Sequence, residues 1–456
     1  MGTKMSAREI AAATPGARDR VIDLLRVASL GTVVLGHWLM AAVTVGADGR
    51  PAVGNLLAVE PKLQLLTWFL QVMPVFFFVG GFSHALSYRS LTRRTGAPAY
   101  ALFLRARLQR LLRPTMLFVA VWGAGALAVQ LAGGNGALTD VAARLVAQPL
   151  WFIGIYLAMV AFTPPLLRLH ERYGWGAFAA LAAAAAAVDA LRFAAGVPYV
   201  EFLNFAFVWL AVHQLGFLRA DGRLRRPAVL AAAGLAGAVA LVAFGPYPLS
   251  MVGMPGEKIS NMAPPTAALL CHGMWLIGAV ELLRGPMARA VARPRVWRTV
   301  VAANGVAMTA FLWHLTAMLG VYGAMLAAHV SLPAPASAAW WLQVPLRIAA
   351  AAAVTALLVA VFRRAEQPPA PAPAGSPAGA PAGSAAARRG SAPAAALGVT
   401  LALFGVLGLS MVGFAGLLEG HSAVLVAVRV TAPVTVLMCA AGWLLVETAG
   451  RTARPV

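Results

Sequence analysis

Asp19–Trp38 reads DRVIDLLRVASLGTVVLGHW, a charged start, an apolar run and one histidine deep inside it. Asp23, Arg26 and His37 are its ionisable members beyond the first turn. Arg26 and His37 are separated by ten residues, so on a helix they differ by only about 20° in azimuth and by about 16 Å along the axis. Asp23 falls near the same stripe. If the helix enters a bilayer near Arg26, His37 sits close to mid-membrane, where ionisable groups are rare and face protein or a watery cavity. A histidine satisfied by a neighbouring carbonyl is the bland alternative, and the shared stripe favours function.

Composition sets the class. Apolar residues make up 61% of the 456, charged residues 11%, and mean hydropathy is +0.78, values that suit repeated apolar spans rather than a soluble core. The formal net charge of +21 raises nucleic acid as a partner. Membrane proteins concentrate Lys and Arg in cytoplasmic loops, however, and that distribution accounts for nearly all of the charge, so no nucleic acid is expected. Cys271 and Cys439 both fall in apolar runs and suggest neither a disulfide framework nor a metal site. The first twenty residues are polar and basic, so no removable signal peptide is expected and the first span should remain as an anchor.

Apolar length and punctuation by turns and charges predict an all-α, polytopic transmembrane bundle of twelve spans, a ten-span core plus two. The spans lie near Val21–Val45, Leu63–Tyr88, Pro114–Leu131, Pro149–Leu167, Trp175–Leu191, Val200–Leu218, Pro227–Phe244, Ala263–Leu283, Val300–Ala327, Ala339–Phe362, Ala394–Leu418 and Ser422–Val446. Alternate loops collect the arginines, while the opposite loops offer Arg50, Lys62, Arg144, Arg192 and Lys258. The positive-inside rule then puts both termini in the cytoplasm, as expected for a multi-pass protein of the inner (plasma) membrane. Residues 365–393 are rich in Pro, Ala, Gly and Ser and should be a disordered cytoplasmic linker between the core, 1–364, and a helix pair, 394–456.

A second constellation is RARLQRLLR, Arg105–Arg113, read as a cytoplasmic loop before the third span. Arg107, Arg110 and Arg113 recur every three residues, so on a helix they form a ridge of guanidinium forks suited to phosphate oxygens. Snorkelling arginines held by anionic lipid headgroups are the alternative, and spacing alone does not separate the two.

DLLRVASLGTVVLGHW, FFFVGGF at Phe76–Phe82, the Arg107 and Arg110 pair, LWFIGIYL at Leu150–Leu157 and FLWHL at Phe311–Leu315 occur in the order seen in the acyltransferase-3 family, which the chain resembles over about Arg18–Glu366. The resemblance implies a ten-span membrane enzyme. It implies transfer of an acyl group, often acetyl, from coenzyme A as co-substrate to a carbohydrate, lipid-linked or other envelope acceptor, with the first-span histidine essential. Many members have Ser-Gly-Phe where this chain has Gly80, Gly81 and Phe82, so no role of that serine carries over. Many also have an extracytoplasmic hydrolase-like domain, which is not expected here.

The residues support the same chemistry independently. Acyl transfer from a thioester to a hydroxyl needs a base for the hydroxyl proton or a nucleophile to carry the acyl group, and imidazole can do either. His37 is the candidate. Asp23 and Arg26 are assigned to admitting the donor from the cytoplasm, with mutual pairing three residues apart as the alternative; Arg107, Arg110 and Arg113 are assigned to its phosphates. Trp151 and His314 are weaker candidates for an acceptor pocket, against anchoring at the interface and against packing or a carbonyl hydrogen bond. Asn204 and Asn261 could bind an acceptor hydroxyl or satisfy loop backbone. No metal-ligand spacing stands out. The competing class is a transporter, disfavoured because Asp23, Asp189, Glu201, Glu281 and Glu447 fall near predicted span ends.

Overall fold

The computed structural model describes residues 7–16, 18–46, 51–96, 99–134, 137–254, 257–366, 391–418, 420–425 and 428–450. Of the expected linker, 365–393, residues 367–390 lie outside the described residues, as do Lys4, Arg50, Arg451 and Arg454, while its ends continue the flanking helical structure. Twelve principal helices carry the chain. They are α1 Arg20–Met40, α2 Met73–Thr95, α3 Tyr100–Leu131, α4 Leu150–Tyr173, α5 Trp175–Phe193 and α6 Asn204–Ala220, followed by α7 Pro227–Phe244, α8 Ala267–Leu282, α9 Ala307–Ala327, α10 Ala338–Phe362, α11 Ala392–Val412 and α12 Ala432–Ala449. Among the described residues, eleven helices are long and apolar enough to cross a membrane. A twelfth span arises if α8 is joined to the short helix Arg284–Ala292, bent from it by 53°. The strands are two short hairpins: β1 Ala41–Val45 with β2 Pro51–Asn55, and β3 Ser422–Leu425 with β4 Val428–Thr431. The all-α polytopic bundle expected from composition is what the chain forms.

Polar residues mark where helices start. Asp19 caps α1 by accepting from the backbone N–H of Ile22, Thr266 caps α8 through Leu269, and Ser391 caps α11 through Ala394. Two local expectations need correction. The stretch Arg105–Arg113 is not a loop but part of α3, which runs through Pro114. The buried series Ala101, Phe103, Leu104, Leu108, Leu111 and Leu112 keeps a helical period up to the proline. Pro114 costs one backbone hydrogen bond, while the Thr115 hydroxyl donates to Leu111 O at 2.7 Å beside it.

The second concerns the helix within the span expected at Leu63–Tyr88: the span stands, as part of Pro61–Thr95, but its helix is interrupted. A 3₁₀ turn over Pro61–Leu66 and one helical turn over Thr67–Leu70 precede α2. Side chains satisfy the break: His272 and Trp275 bond Trp68 O at 3.0 and 3.3 Å, and the Gln71 amide donates to Met251 O at 3.3 Å. Irregular backbone within an apolar span survives where protein groups pair it in this way.

The chain forms two compact units, one of residues 84–164 with the described part of 359–456, the other of residues 7–83 with 165–358. In the second, α2 and α6 cross backbone to backbone. A Cβ on Gly81 would collide with His213 O, and one on Gly216 with Phe78 O and Phe82 N, so both positions require glycine. In the first, Gly405 of α11 lies against the Cys439 backbone of α12, and Gly442 of α12 against Ala402 of α11, the small-residue contact by which membrane helices approach closely. Two arginines stand apart from the loop pattern, Arg347 inside α10 and Arg429 on β4.

Candidate active site

The stripe on α1 resolves into two pieces. At its N-terminal end Asp23, only 4% exposed, receives Arg18 through two hydrogen bonds of 2.6 and 3.0 Å and Arg26 Nη1 at 3.3 Å. The bond to Asp23 raises the Arg18 pKa above its ordinary value. Arg26 also donates from Nη2 to Ser83 Oγ at 2.9 Å. One carboxylate thus orders two guanidinium groups and leaves a net positive charge at the start of α1, so the mutual pairing of Asp23 and Arg26 exists together with an excess of cation. Asn304 adds a hydrogen bond to Asp23 O at 3.2 Å.

Further along α1, His37 Nδ1 lies 2.7 Å from His314 Nε2 of α9. The ring planes differ by 8° with centroids 5.0 Å apart. At that nitrogen separation such values describe two rings joined edge to edge in one plane rather than stacked face to face. The other nitrogen of His314, Nδ1, is 2.5 Å from Phe311 O. A carbonyl oxygen only accepts, so His314 carries its proton on Nδ1. In the neutral pair His314 Nε2 is then a lone pair, the shared proton belongs to His37 Nδ1, and His37 is left with its lone pair on Nε2. That atom has no hydrogen-bond partner among the described residues. His314 is fully buried and His37 half-buried. The geometry therefore presents one basic nitrogen, its tautomer set through two rings by a backbone carbonyl.

Neighbouring groups hold the pair. Trp38 Nε1 donates to His314 O at 3.0 Å. The backbone N–H of Ala41 closes α1 on His37 O, and Ala41 O accepts from the Tyr322 hydroxyl at 3.0 Å. Arg347 supports that hydroxyl from Nη1 at 2.8 Å, donates from Nη2 to Trp340 O at 3.1 Å and lies 4.5 Å from the Trp340 ring centroid. Arg347 was not among the expected site residues. Its signal was an arginine within an apolar span, a costly placement that normally marks a working site.

Asn204 and Asn261 lie in the same unit as His37, and Arg107, Arg110, Arg113 and Trp151 in the one built on residues 84–164. The expected three-arginine ridge is divided there. Arg107 Nε donates to Ser87 Oγ at 3.0 Å, Arg110 is exposed, and Arg113 turns to Glu447 Oε1 at 3.7 Å. Trp151 is half-buried at the start of α4 with its ring edge-on to Phe152. Asn204 donates to Asp189 Oδ1 at 2.8 Å, and Asn261 donates to Pro248 O and Ser250 O at 2.7 and 3.0 Å, so both satisfy local structure. Among the described residues no group of three or more His, Cys, Asp or Glu side chains could hold a metal ion.

A family model described as an acyltransferase domain matches residues 19–363, well over half of the chain. The chain belongs to the acyltransferase-3 family. It is a membrane acyltransferase, and the match takes in α1 with His37, α3 with its arginines, and α9 with His314. No curated protein and no solved structure matches the chain. The acyltransferase-3 match ends before α11, so the last two helices lie beyond it.

Proposed function

We propose that the protein transfers an acyl group, acetyl by preference, from coenzyme A to a hydroxyl of a carbohydrate, glycolipid or other envelope acceptor, with His37 as the catalytic base. The observation that supports this is the unpartnered Nε2 lone pair of His37, fixed by His314 and Phe311 O. The acceptor O–H gives its proton to Nε2 as its oxygen attacks the thioester carbonyl carbon. As the tetrahedral adduct collapses, the C–S bond breaks, and the His37 imidazolium returns the proton to the departing thiolate. Positive charge that develops on His37 strengthens its bond to the neutral acceptor nitrogen of His314.

Arg107 and Arg110 are assigned to the donor's phosphates, Arg26 to donor entry from the cytoplasmic side, and Trp151 to the acceptor. Arg113 and Asp23 serve the donor indirectly, Asp23 by ordering Arg26. The protein sits in the inner (plasma) membrane with both termini in the cytoplasm.

The test uses a deletion strain complemented with the wild type, His37→Gln or His37→Ala at matched membrane levels, and measures ester-linked acyl groups on envelope glycans. Glutamine can hydrogen-bond but cannot accept the proton, so both variants should lose about a hundredfold or more. Near-native acylation by His37→Gln would overturn the assignment.

A further inference from the structure

The two helices beyond the family match grip α3 along a single stripe. Glu447, near the end of α12, accepts from Arg105 Nη2 at 3.2 Å and Gln109 Nε2 at 2.8 Å and pairs with Arg113 Nη2 at 3.7 Å. Immediately after α12, Gly450 O receives Arg105 Nη1 at 3.5 Å, and a Cβ at Gly450 would press on the Arg105 side chain and on Ala101 O. Ala101, Arg105, Gln109 and Arg113 recur every four residues, so the contact follows one face of α3 for about 18 Å. Phe414, just past α11, adds ring contacts with Phe118 and Trp122 at 6.0 and 6.3 Å between centroids. Gly154 of α4 receives Leu407 of α11.

Arg107 and Arg110 point elsewhere. At 100° per residue Arg107 is turned about 160° and Arg110 about 100° from Gln109 at the middle of the stripe that Glu447 holds, so Arg107 faces away from it and Arg110 lies on its flank. A helix gripped along one stripe is fixed in rotation and in height, and the guanidinium groups off that stripe are thereby aimed. We propose that α11 and α12 are a brace for the donor arginines, with Glu447 a positioning residue that sets the donor affinity of Arg107 and Arg110 without touching the donor. The proposal rests on the reading that these two arginines hold the phosphates of coenzyme A.

Electrostatics alone gives the opposite sign. Removing Glu447 takes a negative charge away from an arginine cluster, which by charge count would tighten an anion. A brace predicts weaker binding in spite of that extra positive charge, and a contact that only adds stability predicts an unchanged Kd with a lower melting temperature. Direction therefore separates the three.

The experiment is coenzyme A titration of the full-length protein in nanodiscs. The variants are Glu447→Ala, Glu447→Gln, the exchanged pair Glu447→Arg with Arg105→Glu, and Arg107→Ala with Arg110→Ala, each normalised to its folded fraction. Glu447→Ala should raise the Kd for coenzyme A about tenfold. Glu447→Gln, which keeps the shape but not the charge, should fall between, and the exchanged pair should recover most of the loss. An unchanged or lower Kd for both Glu447 variants, alongside a weakened Arg107 and Arg110 double variant, would overturn the brace alone. An unchanged Kd in the arginine double variant would overturn the donor reading and the brace together.

Discussion

Replacing His314 with leucine tests the tautomer argument at its source. In the native pair His37 Nδ1 donates to His314 Nε2 at 2.7 Å, and Phe311 O keeps that acceptor free of a proton. Leucine is of similar bulk and offers no acceptor. The neutral bond that selects the productive tautomer contributes about 0.5–1.5 kcal/mol, and the charge-assisted bond to the imidazolium formed during proton transfer contributes about 1.5–3 kcal/mol. The second figure bears on the barrier and corresponds to a loss of about ten- to 150-fold in kcat. The protein should also lose about 1–3 kcal/mol of stability, because a donor is left without a partner beside a buried site. His314→Gln returns an acceptor oxygen within reach and should recover part of the rate. The assay is acetyl transfer from acetyl-CoA to an envelope glycan fraction, in membranes containing equal amounts of folded protein. A His314→Leu protein that turns over within twofold of wild type would refute the claim that His314 orients the base.

Three further outcomes follow from the same geometry. Arg107→Ala and Arg110→Ala should each raise the KM for acetyl-CoA with the acceptor KM unmoved, each loss amounting to about 1.5–3 kcal/mol, and lysine should restore only part for want of the planar fork; equal shifts in both KM values would argue for a general structural role. Gly216→Val should sharply reduce the yield and melting temperature measured by size-exclusion chromatography of detergent extracts, because its Cβ would meet Phe78 O and Phe82 N of α2; wild-type melting would contradict the close crossing. A cysteine at Ser376 should react with an impermeant maleimide only after the membrane is opened, whereas one at Gly49 should react from outside, and external labelling of Ser376 would break the assigned topology.

Much of the fold was legible because a membrane makes local sequence informative. Apolar length reports a span directly, and the expected spans coincide with the principal helices to within a few residues at most ends. The errors lie where a local rule met a tertiary exception. Pro114 reads as a boundary, yet α3 continues through it because its apolar face remains buried on both sides. The break before α2 was invisible, since Leu63–Tyr88 is apolar throughout and the groups that satisfy the interruption, His272, Trp275 and Met251 O, come from about 180 to 207 residues away. Arg347 carried a readable signal as a charge within a span, and its partners Tyr322 and Trp340 O explain how it is tolerated.

The candidate site shows the same division more sharply. The expectation of a mid-span histidine is corrected by the fold, because α1 ends at Met40 and His37 lies in its last turn; what makes it unusual is its partner rather than its depth. What makes it basic at Nε2 rather than Nδ1 is a relation among His37, His314 and Phe311 O, with the two histidines 277 positions apart in sequence, and no periodicity encodes it. FLWHL looked like a histidine satisfied by a carbonyl, and it is one: the bond to Phe311 O is the reason that His314 can accept from His37. The bland reading and the functional one are consecutive steps of a single argument, since a histidine whose Nδ1 is spent on backbone has only an acceptor left to offer its neighbour. Glu447 repeats the lesson in the other unit. A carboxylate at a span end has no evident task until Arg105, Gln109 and Arg113 are seen to share one face of α3, and the sequence spacing that suggested an Arg107, Arg110 and Arg113 ridge gave equal standing to three arginines that the fold separates by partner.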